Sequence, residues 1–535
     1  MKRLSTGSAT ESCLFSVLLF LLSALIPCLT KAAGVTVITH GLNGNADGWV
    51  TGMANQIPAY HGFPGTNYTF YKLYFIPNGG GYSLTWSRLG GNPPSATDSG
   101  EIIVAFDWSQ LADGKSYNTY QIASVLDAAF LSTNFISELN GHALCELPIH
   151  LIGHSRGGSL MCQTSLLLGT NGIWVDHVTT LDPHPLNDPN FPFDILLYSA
   201  VDAPCATYQN ILFHDNCWEN MDLFVRGEPV SGAYVRQLYN LSGGYQNNGD
   251  TYYPHSNAHL WYHGSINLNT PANDTEASIT STERYNWWVP YEDYGLFAGF
   301  HFSLIGGGNR MSTDEPVGQG FPAIVDGYNQ NWDLGAGILN PNRTALPSDN
   351  GAWPNIIRFN VTGTNAVVAG NLISTTFYYQ YAGASNLTLQ VYYDKDFNPY
   401  NSNSVLVAQV QPPATGAGSV YYYTNLGLAT TNVPPGVYAI YGKISDGVHT
   451  RYLYTPQLVQ IISSQQQPVL DIVKLNATQF RIGVNGVSEQ TIVLQSSSDL
   501  RNWLPITTNT LTSSRWTYTI SLPASQQFYR AVLNP

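Results

Sequence analysis

Charge is what this chain has least of. Asp, Glu, Lys and Arg together make up 10% of its 535 residues, and the balance is acidic, with a formal net charge of −14. No cluster of Lys or Arg occurs, so the electrostatic footprint of a nucleic-acid binder is missing and a partner of that kind is not expected. An anionic membrane surface would repel the chain on average. Past the first thirty-three residues no apolar run is long enough to span a bilayer. Cysteine is sparse as well: six in all, of which Cys13 and Cys28 lie near the start. The other four, Cys145, Cys162, Cys205 and Cys217, allow three full pairings. Cys205 and Cys217 could close a short loop in an oxidising compartment. Cys145 and Cys162 suit each other poorly. A strand rising from Cys145 would climb about 26 Å at about 3.3 Å per residue, and a helix from Ser155 to Cys162 would descend only about 10 Å. Cys162 therefore reads as a core residue.

What is present points to an exported, β-rich protein. Apolar residues reach 44%, enough for globular cores, and Tyr and Gly are abundant. The length exceeds one core, so two to four domains are expected. Lys2 and Arg3 form a basic start, Leu14 to Ile26 is apolar, and Ala32, Ala33 and Gly34 supply small residues. This is the pattern of a secretory leader over residues 1–33, which implies a secreted, extracellular protein. Cys28 is not read as a lipoprotein cysteine, because Pro27 stands where a small residue is wanted.

The next stretch, 34–354, alternates strand-like and helix-like runs. Strands are expected at Val35–Thr39, Tyr68–Phe75, Ile102–Phe106, Ile149–Ile152, His177–Leu181 and Ile211–Phe213. A helix is expected over Tyr120–Leu139, with Ile122, Val125, Leu126, Ala129, Phe130, Thr133 and Ile136 on one face. Such alternation argues for an α/β class fold, a doubly wound, mostly parallel sheet. From about Asn355 the helical period vanishes and short alternating strands follow, reading as a β-sandwich over 355–462. A polar linker at 463–468 leads to a small β-rich unit at 469–535.

The strongest local signal is Gly153-His154-Ser155-Arg156-Gly157, preceded by the apolar run Leu147–Ile152 and followed by the helix-like run Ser159–Leu168. G-x-S-x-G between a strand and a helix is the nucleophile elbow, which lifts a serine oxygen above the sheet at a helix N-terminus. A serine needs a base, and the base needs an orienting acid. In this arrangement both follow the serine in the chain. Asp182, after Val178–Leu181, and Asp215, after Ile211–Phe213, both qualify as the acid. The base falls in His255-Ser256-Asn257-Ala258-His259-Leu260-Trp261-Tyr262-His263. Those three histidines, four apart, also share one helical face, a spacing that metal sites use, but no H-E-x-x-H accompanies them. For the oxyanion hole the Arg156 N–H and the Leu42 N–H are the candidates. Leu42 sits in Thr39-His40-Gly41-Leu42, directly after the first strand.

Taken in order, His40-Gly41-Leu42, Val104-Ala105-Phe106-Asp107-Trp108, the Gly153–Gly157 elbow, Leu181-Asp182-Pro183 and a late His followed by Leu resemble the pancreatic-type lipases of the α/β-hydrolase superfamily, over about residues 35–264. The resemblance implies a catalytic α/β-hydrolase domain and hydrolysis of acyl esters, often lipids, without a cofactor or metal in the chemical step. It favours Ser155, Asp182 and His259 as the triad, with Leu42 and Arg156 as the oxyanion donors. The expected partner is a small-molecule or lipid ester. The C-terminal units resemble β modules of secreted bacterial hydrolases, which could grip a polymer or a cell surface. Oligomeric state is left open. Three rival readings stand beside this one: an amidase or polyester depolymerase with the same triad, a metal hydrolase using His255, His259 and His263, and a binding protein with an inert triad. Asn216–Pro254 and Tyr60–Trp86 are lid candidates. Gly306-Gly307-Gly308 reads as a turn. Asp394-Lys395-Asp396-Phe397-Asn398 has calcium-loop spacing, but Pro399 replaces the required Gly, so it reads as a solvated turn.

Overall fold

A computed structural model of the chain describes residues 33–62, 68–96, 100–191, 194–222, 224–267, 276–288, 298–303, 305, 342–347, 353–401, 403–416, 421–463, 468–476, 478–521 and 527–533. Most of the leader, the Gly306–Gly308 run and most of the linker lie outside these residues. The protein is strand-rich, 39% strand against 21% helix, because among the described residues the elements from Asn355 on are strands and the first unit mixes the two.

That first unit is organised on an eight-stranded sheet. Its strands are β1 (Val35–Thr39), β2 (Tyr68–Asn78), β3 (Gly81–Gly91), β4 (Glu101–Asp107), β5 (Ile149–His154), β6 (Val175–Leu181), β7 (Ile211–Trp218) and β8 (Tyr234–Gln237), in the order β3-β2-β4-β1-β5-β6-β7-β8. All neighbours pair in parallel except β2 with β3. The central strands are continuous apolar, β-branched runs because they are covered on both faces. Val35, Val37, Val104 and Leu151 pack to one side, against helices α2 (Thr119–Leu131) and α3 (Arg156–Thr170). Ile38, Ile103, Ala105 and Ile152 pack to the other, against α1 (Trp49–Gln56), α4 (Tyr253–Ile266) and α5 (Ser281–Trp288).

Several expectations are revised. The helix over Tyr120–Leu139 stops at Leu131. Its start is fixed by a capping box between Asn118 and Gln121, and Val125 faces solvent rather than the core. Strand β7 runs on to Trp218, five residues past Phe213. Part of the lid candidate Tyr60–Trp86 is the antiparallel β2–β3 pairing at the sheet edge. The four cysteines of the described residues are free thiols, so no Cys205–Cys217 bridge closes; Cys162 is buried, as a core residue should be.

The strands from Asn355 to Ile462 are β9 (Asn355–Thr362), β10 (Ala366–Val368), β11 (Leu372–Gln380), β12 (Thr388–Asp394), β13 (Val405–Val410), β14 (Tyr421–Ala429), β15 (Gly436–Ser445), β16 (Thr450–Tyr454) and β17 (Val459–Ile462). They form two sheets, one of them β10-β17-β15-β12-β13 with β16 on β15, the other β14-β11-β9. They are not merely tethered. Tyr441, Tyr452 and Tyr454 belong to the same apolar cluster as the α2/α3 face of the first unit. Buried Asn355 accepts the Trp174 N–H at 3.1 Å and donates to Gly172 O at 2.6 Å, and Arg451 donates to Trp174 O at 3.0 Å. The Asp394 turn belongs to this junction. Asp394 is fully buried rather than solvated, accepts from Tyr454 Oη at 2.5 Å and the Asn398 N–H at 3.0 Å, and Asn398 donates to Pro94 O. The final strands, Val469–Leu533, make two three-stranded sheets with their own small core around Ile482, Val484, Ile492 and Leu494.

Asn355→Ala would strip partners from buried backbone groups of residues 172 and 174. It should cost about 1–3 kcal/mol, read as a lower urea midpoint with an unchanged slope.

Candidate active site

Ser155 occupies the junction of β5 and α3. Its backbone is at φ 58°, ψ −128°, a conformation that side-chain-bearing residues rarely adopt. Two glycines make the turn sterically feasible. A Cβ on Gly153 would overlap the backbone of Gly157, and one on Gly157 would come within 2.6 Å of His40 O. On the other side of the serine, a Cβ on Gly41 would sit 2.5 Å from Ser155 Cβ and 2.9 Å from its Oγ. The backbone after β1 therefore passes directly against the serine, and Leu42 lines the same cavity as Ser155. Arg156 opens α3, where the first N–H groups of a helix lack intrahelical acceptors.

One hydrogen bond joins a candidate acid to a histidine. Asp182, directly after β6, is fully buried and also has positive φ, 45°. Its Oδ2 lies 2.5 Å from Nδ1 of His255, and its Oδ1 accepts the N–H groups of Glu219 and Gly227, each at 2.8 Å. So Asp182 engages a histidine, and the histidine is His255, not His259. The reason is geometric. Helix α4 begins at Tyr253, so His255 lies in its first turn, beside the strand ends. His259 is four residues, about 6 Å, further along the axis. There its ring stacks on Trp49 at 4.1 Å. His263 is buried one turn further on. Among the described residues no group of three His, Cys, Asp or Glu side chains is placed to hold a metal. Asp215 is not part of this constellation: it lies within β7 and bonds His177 at 2.8 Å and Thr179.

Ser155, His255, Leu42 and Arg156 line one cavity of about 500 Å³. His184, two residues after Asp182, forms part of its wall, bonded to Arg226 O at 2.7 Å and facing Asp194 at 3.3 Å. At and beside the cavity, Ile195, Leu196, Leu197 and Phe224 are 69–77% exposed, an apolar grouping at the surface.

Nothing among known protein-family profiles or curated proteins matches this chain. Among solved structures, a similar chain is a human OSCAR ligand-binding domain, 10% identical over 34% of this chain and 93% of that one, with a TM-score of 0.17. A likeness that low carries no argument about fold or activity, so the site must be read from its own chemistry.

Electrostatically, the Asp182–His255 pair is one unit. Burial raises the Asp182 carboxyl, to about 8, against the backbone N–H groups that favour its charge. Burial, with His184 nearby, lowers the His255 imidazole, to about 3. Both shifts oppose charge at this spot. The form that can act as a base, carboxylate plus neutral imidazole, carries a net negative charge, so the pair holds its extra proton to higher pH than a free histidine would.

Beneath the site, the fully buried Arg156 guanidinium grips Asp202 with two bonds, Nε–Oδ2 at 2.6 Å and Nη2–Oδ1 at 2.8 Å. It also donates to Ala112 O and Tyr117 O and lies 4.9 Å over the Trp108 ring. Asp202 in turn accepts the N–H groups of Thr119 and Leu186. Asp202→Ala would leave a buried cation unpaired and should cost about 3–5 kcal/mol, measured by denaturant unfolding. Arg156→Lys should recover little of the loss caused by Arg156→Ala, because an ammonium cannot reproduce the two-pronged geometry.

Proposed function

We propose that this protein is a secreted serine hydrolase of the α/β-hydrolase type that cleaves carboxylic esters with apolar acyl groups. The observation that carries the reading is the strained Ser155 opening onto a cavity shared with His255, whose Nδ1 is bonded to the buried Asp182. Strand–elbow–helix geometry, and acid and base that follow the serine in sequence, support the same class.

In this mechanism Ser155 Oγ attacks the ester carbonyl while His255 Nε2 takes its proton. The Leu42 and Arg156 N–H groups hold the oxyanion. Asp182 fixes the imidazole tautomer and stabilises the imidazolium as it forms. His255 then protonates the leaving alcohol, and water repeats the sequence on the acyl-enzyme. The exposed Ile195, Leu196, Leu197 and Phe224 favour a lipophilic acyl chain over a polar substrate.

A serine-directed phosphonate should label the mature protein at Ser155, and Ser155→Ala should abolish both labelling and ester turnover. His255→Ala should lower kcat by about 10⁴-fold or more, whereas His259→Ala should keep most of it. Among esters of graded length, turnover should rise with chain length. Labelling at Ser155 without turnover of any ester would sink the function. The pH profile has a defined direction. Below the pair's apparent pKa the extra proton blocks the base, so kcat/KM should be low in acid and climb through about pH 8. Half-maximal kcat/KM at or below pH 6.5 would contradict this.

A further inference from the structure

Glu219 follows β7 directly and is fully buried. Its N–H donates to Asp182 Oδ1 at 2.8 Å. Its Oε2 accepts the backbone N–H groups of Met221 and of Asp222, the latter at 3.1 Å. Its Oε1 is buried with no backbone or side-chain donor bonded to it, and its carboxyl lies beside that of Asp182, close enough for the two to interact. Two ionised carboxylates cannot hydrogen-bond each other, since both only accept. A contact of this kind between buried carboxyls requires a proton on one of them.

We infer that Glu219 is a positioning residue of the catalytic site: its protonated carboxyl donates a hydrogen bond to the Asp182 carboxylate, so that Asp182 is held by Glu219 on one side and by His255 on the other. The inference rests on the triad reading above. It assigns the proton by role. When the Asp182–His255 pair gives up its extra proton, the charge settles on Asp182, which already has backbone N–H donors and the imidazole. Glu219 keeps its proton and supplies a further donor. The neighbouring charges act in the same direction. Burial first, then the charges of Asp182 at the end of β6 and of Asp222 in Glu219's own loop, raise the Glu219 carboxyl. The imidazoles of His255, from α4, and His184 bear on Asp182. Once Asp182 is charged, Glu219 loses its proton at still higher pH, and the donor then becomes a second negative charge beside the triad acid.

The test pairs a pH profile with a direct view of the proton, using the full-length mature protein. In the wild type kcat/KM should rise on the acid side and fall again at alkaline pH as Glu219 ionises. Glu219→Gln keeps a donor but cannot titrate, so it should retain kcat/KM near its maximum and lose the alkaline fall. Glu219→Ala removes the donor and should lower kcat/KM by about ten- to a hundredfold, with the acid limb moved to higher pH. Infrared difference spectra of wild type minus Glu219→Gln should contain the carbonyl stretch of a protonated carboxyl at pH 7, titrating away in alkali. If that band is absent at pH 7, or if Glu219→Gln leaves the alkaline limb in place, the inference is overturned. If the band is present but no ester is hydrolysed, the shared proton stands and the ester-hydrolase reading falls instead.

Discussion

The bidentate contact between Arg156 and Asp202 is the constraint on which the active-site geometry depends. Arg156 follows Ser155, so its backbone is part of the tight turn and its side chain is the buried anchor beneath it. Through Asp202 it ties the segment 183–187, which follows Asp182, to the start of α2. Through Ala112 O and Tyr117 O it ties the loop after β4. The Trp108 ring that the guanidinium covers also bonds His40 O through Nε1, at 3.1 Å. One charge therefore registers the segment after β1, the segment after β6 and Ser155 against each other. Catalysis by preorganised dipoles needs such fixed registration, because an N–H group that must move into place stabilises the transition state less.

Charge is otherwise avoided where the chemistry would occur. His154, His255 and His259 are all buried, with pKa values lowered by burial, and Asp182 and Glu219 are raised for the same cause. The low overall content of charged residues is consistent with this, and Asp182 and Glu219 are fully buried carboxyls at this site. The cost of holding them is met by backbone N–H donors at strand ends, where unpaired amides are available. Asp182 and Glu219 both sit at such ends, one strand apart.

Much of this could be read from the residues alone. The Gly153–Gly157 motif identified Ser155 because the turn is so tight that its glycines are a steric necessity, and a steric necessity is written in the sequence. The parallel sheet was visible in the uninterrupted apolar strands between helical runs. His255 was harder. The three histidines share one helical face, and periodicity cannot tell which turn of a helix lies beside the strand ends. That depends on where α4 starts in space. The resemblance to lipases, with its His-Leu pair, pointed to His259, which instead packs on Trp49. Glu219 was hidden because the strand before it was expected to end at Phe213. The run His214–Trp218 is too polar to look like strand, and it is stabilised by pairing with β6 and β8.

The sequence by itself determined the tight turn around Ser155, the alternating layers of the first unit and the strand-rich character of the rest, because each follows from local sterics or from a repeating pattern of burial. Only the tertiary structure decided the partners. It joined Asp182 to His255, placed Glu219 behind Asp182, committed Asp215 to His177, and buried the Asp394 turn against Pro94. Each of these is a contact between segments distant in the chain, fixed by strand order and helix position. No local pattern of residues encodes such a contact.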